Sequence, residues 1–299
     1  MKQFRKMVYP YLVWSTIMIA IPMLLILLYA FTSGGNSVSK FVFSFANFKR
    51  FLTDKTFISV LWLSLKIAVE TTVICIILGY PAAYVIAHYS EGVKMKWVLI
   101  ITLPTWINML VRTYAWTGIL QDDGVINSIL GLVGLGPISF MYTDFAVILG
   151  MVYNFLPFMI IQIYTSLTKM DYSLIEAASD LGASPRKCFL KVTLPLSMPG
   201  VISGITLVFL PAVSSFCIPR MLGGGSYVMV GTIIESQFVT AGDWNFGSAI
   251  SLIMAIIFKS PNFKATIDVT TLFMGFVVLC LSQFFAHGVE LEDEVNGLL

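Results

Sequence analysis

Six apolar runs, most of them at or above the ~20 residues that cross the hydrocarbon core of a bilayer and the sixth short for a span, constrain what this chain can become. They lie at about 11–31, 58–88, 97–120, 145–165, 199–219 and 245–258. A backbone inside lipid must satisfy its own hydrogen bonds, so runs of this length are read as helices. The expected fold is all-α: a polytopic helical membrane protein with about six transmembrane helices, forming one domain over residues 1–299. Charged residues make up only 11% of the chain, against roughly 25% in a soluble domain, which excludes an ordinary wet surface. Lys2, Arg5 and Lys6 ahead of the first run resemble a signal peptide. The run exceeds a signal h-region and lacks a small-x-small cleavage site, so it reads as a retained first span.

Lysine and arginine set the expected orientation. Lys2, Arg5, Lys6, Lys94, Lys96, Lys169, Arg186, Lys187 and Lys191 fall on one side, whereas the loop near 121–144 carries Asp122, Asp123 and Asp144 and no basic residue. The positive-inside rule puts the N-terminus and the loop around Glu176 in the cytosol. One loop dissents: residues 32–57 carry Lys40, Lys49, Arg50 and Lys55 yet must then lie outside, and a short surface helix is expected there near 45–52. Gly79-Tyr80-Pro81 interrupts the second run, where proline removes a backbone donor and favours a kink. After the sixth run, Lys259 to Lys264 breaks the pattern and a further apolar stretch covers about 267–286. It is either a seventh segment or a tail that folds back.

Between the fourth and fifth runs lies "EAASDLGASPRKCFLKVTLPLSMPG", the most polar interval of the C-terminal half before the acidic tail. Ser173 and Glu176 have the spacing of a capping box, the serine hydroxyl accepting a first-turn amide while the carboxylate reaches back. Ala177 and Ala178 favour helix and leave a smooth surface. Gly182 can take the left-handed conformation that stops a helix, and Ser184-Pro185 can restart one. Leu194-Pro195 and Pro199-Gly200 are expected to end this unit. Two short helices joined at a glycine make a compact knuckle, which is either a well-capped connector or a knob on which another protein docks.

Glu176-Ala177-Ala178, Gly182, Val192 and Leu194-Pro195 stand at the spacing of the EAA signature, and here the chain resembles the permease subunits of ABC importers. Valine at 192 replaces the usual isoleucine. "WINMLVRTYAW" at 106–116, "FLPAVSSFCIPRMLGGG" at 209–225 and "DWNFGSAIS" at 243–251 are similar to the spermidine/putrescine type of that family. The likeness covers about residues 8–257, with a core at 58–258, a cytosolic coupling loop at 173–195 and a divergent segment at 259–299. It implies the fold of a type I importer permease in a bacterial cytoplasmic (inner) membrane, moving polyamine inward. It implies four kinds of partner: a cytosolic ATPase dimer, a second homologous permease, an extracytoplasmic substrate-binding protein and the lipid bilayer. Glu176, Ala177, Ala178 and Gly182 would then couple to the ATPase. Nucleic acid is not an implied partner.

No GxxxxGK[ST] loop is present, and Gly223-Gly224-Gly225-Ser226 lacks the lysine that meets a phosphate, so it reads as a turn. The chain is therefore expected to have no catalytic residue and no cofactor, with ATP and magnesium held by the partner ATPase. Cys75, Cys188, Cys217 and Cys280 form no CxxC pair, and His88 and His287 are far apart, so no metal site is expected. A polyamine path should offer π faces and carboxylates. Trp106, Tyr114, Trp116 and Tyr164 either line that path or anchor and pack the helices. Lys66 and Glu70, one turn apart, are read as an ion pair that satisfies itself, and Arg112 as a structural residue against carbonyls. Glu235 and Asp243 either meet incoming cations or are solvated loop acids. Three alternatives remain: a permease for iron, thiamine or an anion, a stand-alone secondary transporter or channel, and a structural membrane protein with no transport role, which would leave the capped knuckle unexplained.

Overall fold

The computed structural model describes residues 14, 16–33, 42–134, 136–225 and 227–258. The expectations for Lys2, Arg5, Lys6, Lys40, Cys280, His287 and the segment 259–299 lie outside the described residues. The described residues fall into two compact units: those up to 54 together with 236–258, and those within 55–235.

In the first unit, a π turn at Thr16–Ala20 leads into helix α1 (Ile21–Ala30). Strands β1 (Thr32–Ser33) and β2 (Val42–Phe43) pair antiparallel, with Thr32 opposite Phe43. Helix α2 (Ala46–Thr53) follows, at the place expected for a short surface helix. Asn245, on the last described helix of this unit, donates to the carbonyls of Tyr29 and Thr32 at 3.1 and 2.9 Å. These bonds satisfy the backbone where α1 ends.

The second unit holds α3 (Lys55–Ala87), α4 (Glu91–Thr102), α5 (Met109–Leu120), α6 (Val125–Leu132), α7 (Asp144–Thr168), α8 (Ser173–Asp180), α9 (Pro185–Cys188), α10 (Leu194–Ser214) and α11 (Cys217–Leu222). Helix α12 (Val230–Val239) crosses from this unit into the first, where α13 (Trp244–Phe258) closes the described chain. Three helices, Lys55–Ala87, Asp144–Thr168 and Pro185–Ser214, are long and apolar enough to cross a membrane, and a bent pair makes up to four. Thr16–Ala30 and Trp244–Phe258 are shorter apolar helices. Each of the six apolar runs therefore holds helix.

The core of the second unit is the packing of α3, α7 and α10. Buried residues on α3, among them Val60, Ser64, Ile67, Thr71, Cys75, Gly79 and Ala83, recur at three- and four-residue steps and form one face. Glycines let the backbones approach, as is usual for packed helices in lipid. A Cβ at Gly204 would stand 2.5 Å from Met159 Sδ, and one at Gly79 3.0 Å from Met159 Cγ.

Two spans differ from expectation. The run 97–120 is not one rod: α4 continues through a 3-10 turn (Leu103–Trp106), and the helices before and after the break are bent by 89°. Pro104 cannot extend the ladder, and Asn108 Oδ1 accepts the Leu110 N–H at 2.8 Å, which starts α5 as a new helix. Conversely, neither Leu194-Pro195 nor Pro199-Gly200 ends the helix. Helix continues from Pro185 to Ser214 because a π turn at Phe189–Thr193 widens the ladder just before Pro195. An i→i+5 turn relieves the clash a proline ring makes with the preceding turn. Helix α3 likewise runs unbroken through Pro81.

Candidate functional site

The loop from 169 to 193 is built from short-range hydrogen bonds. Its cap differs from the expected box: Ser173 is the first helical residue rather than the cap, and its N–H donates to Asp171 Oδ1 at 3.0 Å. Tyr172 occupies the cap position without a side-chain bond, and Asp171 just before it supplies the acceptor. That bond, a carboxylate accepting a backbone N–H, holds the Asp171 carboxyl below its ordinary pKa. Gly182 takes φ +78°, the left-handed conformation expected of it. The Gly182 and Ala183 N–H groups donate to the carbonyls of Ser179 and Ala178 at 2.9 and 3.1 Å, so the end of α8 leaves few backbone acceptors open. Ser184 is extended ahead of Pro185, as expected of a cap, yet its side chain makes no capping bond.

The knuckle offers its surface outward. Helix α8 has no buried residue; Glu176, Ala177 and Gly182 are exposed and Ala178 is half-buried. Apolar side chains that sequence reasoning passed over surround them, with Leu181 90% exposed and Tyr172 and Leu174 also exposed. Their signal was an apolar residue flanking each end of the Glu-Ala-Ala motif.

The base of the knuckle is stiffened by aromatic contacts that the sequence did not reveal. Phe189 packs edge-on against Tyr80 and Tyr84, with centroids 5.8 and 5.4 Å apart. His88 lies 4.3 Å from the Tyr84 ring and 6.1 Å from that of Tyr172. The Tyr80 hydroxyl and Ser197 Oγ are 2.8 Å apart. The C-terminal end of α3 thus contacts both sides of the knuckle. Beside it, Ser166, Lys169, Met170, Asp171, Leu174 and Leu196 line a cavity of about 330 Å³.

The four candidate path aromatics do not gather into one cluster. Trp106, at the end of the 3-10 turn, is 75% exposed and Tyr114 71%. Trp116 is half-buried and packs on Tyr153 at 5.4 Å. Tyr164 is half-buried eleven residues further along α7, which is about 16 Å of helix axis from Tyr153.

Several charged residues find partners far away in sequence, whereas Arg112 does not. Lys66 Nζ is 3.0 Å from Asp144 Oδ2 and 4.0 Å from Glu70 Oε1, so the expected i,i+4 pair is the weaker of two. The Tyr227 hydroxyl donates to the other Asp144 oxygen. Glu235 is no loop acid: it accepts two bonds of 3.3 Å from Arg220. Asp243 pairs with Arg50 at 3.2 Å and caps α13 through the Phe246 N–H. Arg112 departs from its expected seat, since its Nε and Nη1 are buried without a hydrogen-bond partner, and no carbonyl receives them. No cluster of potential metal ligands occurs among the described residues.

A family described as the binding-protein-dependent transport system inner membrane component matches residues 1–282, reaching past Phe258, where the motif likeness stops. The chain is 38% identical over 247 residues to the spermidine/putrescine transport system permease protein PotB of Escherichia coli (strain K12), across 82% of this chain and 90% of that protein. It is 37% identical over 247 residues to the protein of that name in Salmonella typhimurium (strain LT2), across 82% and 86%. Among solved structures, it resembles a chain of the bacterial alginate ABC transporter in complex with alginate pentasaccharide-bound periplasmic protein. The TM-score is 0.65 at 18% identity, over 85% of this chain and 89% of that one, a likeness of fold.

Proposed function

Because the chain belongs to the family of binding-protein-dependent transport system inner membrane components, we propose that it is the permease subunit of an ATP-driven importer that carries polyamines of the spermidine/putrescine class. The observation that carries this reading is the identity to the spermidine/putrescine permease, which is sustained over 90% of that relative's length. The chain contributes no nucleotide chemistry. A cytosolic ATPase dimer binds ATP and magnesium, a second, similar permease completes the path, and an external binding protein delivers the substrate.

Glu176, Ala177, Ala178 and Gly182 form the surface that seats on the ATPase. Their exposure, together with the short helix stopped at Gly182 and the aromatic base at Phe189, supports this role. Small side chains permit close approach, and Glu176 supplies the one charge of the motif. The positive-inside count supports a cytosolic knuckle. The exposed faces of Trp106 and Tyr114, with Trp116 and Tyr164 deeper in, meet the ammonium groups of the substrate.

The test is uptake of labelled putrescine and spermidine by vesicles carrying the whole assembly. ATP-dependent uptake that requires the binding protein is the expected result. Uptake of a different solute with no polyamine transport overturns the substrate reading. Gradient-driven uptake by this chain alone overturns the importer reading itself.

A further inference from the structure

The segment from Phe31 to Thr53 is the one stretch whose basic residues run against the charge bias, and nothing in the proposed transport role uses it. Its described part forms a rigid aromatic platform. Phe31 stacks on Phe43 at 5.8 Å with ring planes 3° apart, and meets Phe45 and Phe48 at 5.6 and 5.0 Å. Phe43 and Phe45 pack edge-on at 5.2 Å. The Ser44 N–H donates to the Phe31 carbonyl at 2.9 Å, which locks the hairpin beneath the rings.

Helix α2 is amphipathic, and both of its faces carry apolar side chains. One face is spoken for. Phe51 is 2% exposed, Asn47 Nδ2 donates to the Thr32 carbonyl at 3.1 Å, and Arg50 pairs with Asp243 while lying 4.2 Å over the Phe246 ring. The other face carries Phe45, Lys49 and Leu52 at steps of four and three, so they lie together. Phe45 is 60% exposed, Leu52 63%, and Val42 and Phe43 on the adjoining strand 60% and 69%. Lys49 is exposed and has no ion-pair partner among the described residues.

We infer that this face lies in the headgroup region of the bilayer, with Val42, Phe43, Phe45 and Leu52 entering the upper acyl zone and the Lys49 ammonium meeting lipid phosphate. Two observations select lipid as the occupant. The platform follows an apolar helix with no polar interval, since Phe31 comes directly after Ala30, so the chain leaves the hydrocarbon at this place. Aromatic rings beside an exposed lysine with no ion-pair partner among the described residues also match the composition of a bilayer interface, where rings sit at headgroup depth and a lysine stem reaches from acyl chain to phosphate. The rings are fixed by one another, so they do not wait to fold inward. The platform therefore sets the height of α1 and α13 in the membrane. This assignment also accounts for Lys49, one of the basic residues that oppose the charge rule: it binds lipid rather than determining sidedness.

The test uses the full chain in its assembly, reconstituted in lipid discs. Leu52→Trp and, separately, Phe43→Trp each add one indole, whose emission is obtained by subtracting the spectrum of the parent. Lipids brominated at the upper acyl carbons are the probe. The expected result is a blue-shifted added emission that loses most of its intensity to these lipids and little to lipids brominated near the chain ends. Lys49→Glu should leave assembly and uptake in place while abolishing any extra blue shift in discs rich in anionic lipid. An added emission that is red-shifted and insensitive to bromine overturns the inference. So does one that responds only when the external binding protein is supplied, which would make the platform a protein-docking face.

Discussion

Gly200 on α10 lies so close to Ser166 on α7 that a Cβ built on the glycine would stand 2.4 Å from the serine Cβ and 2.7 Å from the Gln162 carbonyl oxygen. Neither obstacle is a flexible chain end, so the helices must separate to admit a methyl group. Gly200→Ala is expected to destabilise the second unit by roughly 1–3 kcal/mol through overpacking. Its thermal midpoint in detergent should fall well below that of Gly92→Ala, a helical glycine with nothing within 4 Å of its would-be Cβ. Equal midpoints for the two variants would refute the close-packed seam.

Gly182 presents the opposite case. Open space surrounds its would-be Cβ, but φ is +78°, where an L side chain costs about 1–2 kcal/mol. Gly182→Ala should leave the helices of the spans intact and loosen the turn between α8 and α9. The expected outcome is an unchanged thermal midpoint with a marked loss of substrate-stimulated ATP turnover in the assembly. Normal turnover would show that the turn carries no function.

Because α8 buries no side chain, Glu176→Lys tests docking without disturbing the fold. The variant should reach the membrane in normal amounts, bring down less ATPase on purification and lose most uptake. Full uptake with wild-type recovery of the ATPase would remove Glu176 from the interface.

Asp171 links this loop to pH. Its carboxyl is held below the ordinary range by the Ser173 N–H, so the cap contributes fully above the unfolded pKa and is lost as pH falls through the folded one. Amide exchange at Ser173 and Leu174, corrected for intrinsic rate, should therefore rise on acidification. In Asp171→Asn, which keeps an acceptor but does not titrate, that rise should vanish. Persistence of the pH dependence would point to another group.

Arg220 and Glu235 tie α11 to α12 by two parallel bonds. The glutamate side chain is 16% exposed and the arginine 53%, so the gain is modest, on the order of 1 kcal/mol after screening. Arg220→Ala and Glu235→Ala should each lower the thermal midpoint, and the double variant should lose less than their sum. Strict additivity would show that the pair contributes nothing jointly.

What the sequence made legible was local. Apolar length located the six runs that hold helix but not α6 or α12, and Gly182 declared its left-handed turn because glycine carries no Cβ penalty there. Pro104 and Asn108 carried the signals for breaking the third run, but mean hydropathy ignores them, and the run read as continuous. The cap of α8 was misassigned because Asp171 and Ser173 are both competent and only geometry chooses. Lys66 looked paired with Glu70 because four residues is the separation that a helix enforces, whereas Asp144 is 78 residues away in sequence. Tyr80 and Ser197, 117 apart, were beyond reach for the same reason. The π turn before Pro195 is fixed by how the proline is accommodated in a packed helix, which no spacing rule encodes.

The uninterrupted helix from Pro185 to Ser214 has a mechanical corollary. Thirty residues give a rod about 45 Å long, and tilting it by about 10° about its midpoint sweeps each tip through roughly 4 Å. Because the helix is continuous even through Pro199 and Pro211, a push at one tip arrives at the other as displacement rather than being absorbed in a connecting loop. The widened turn at Phe189–Thr193 is then the place where compliance would be introduced, and a deletion of one residue there would rotate everything beyond it by about 100°.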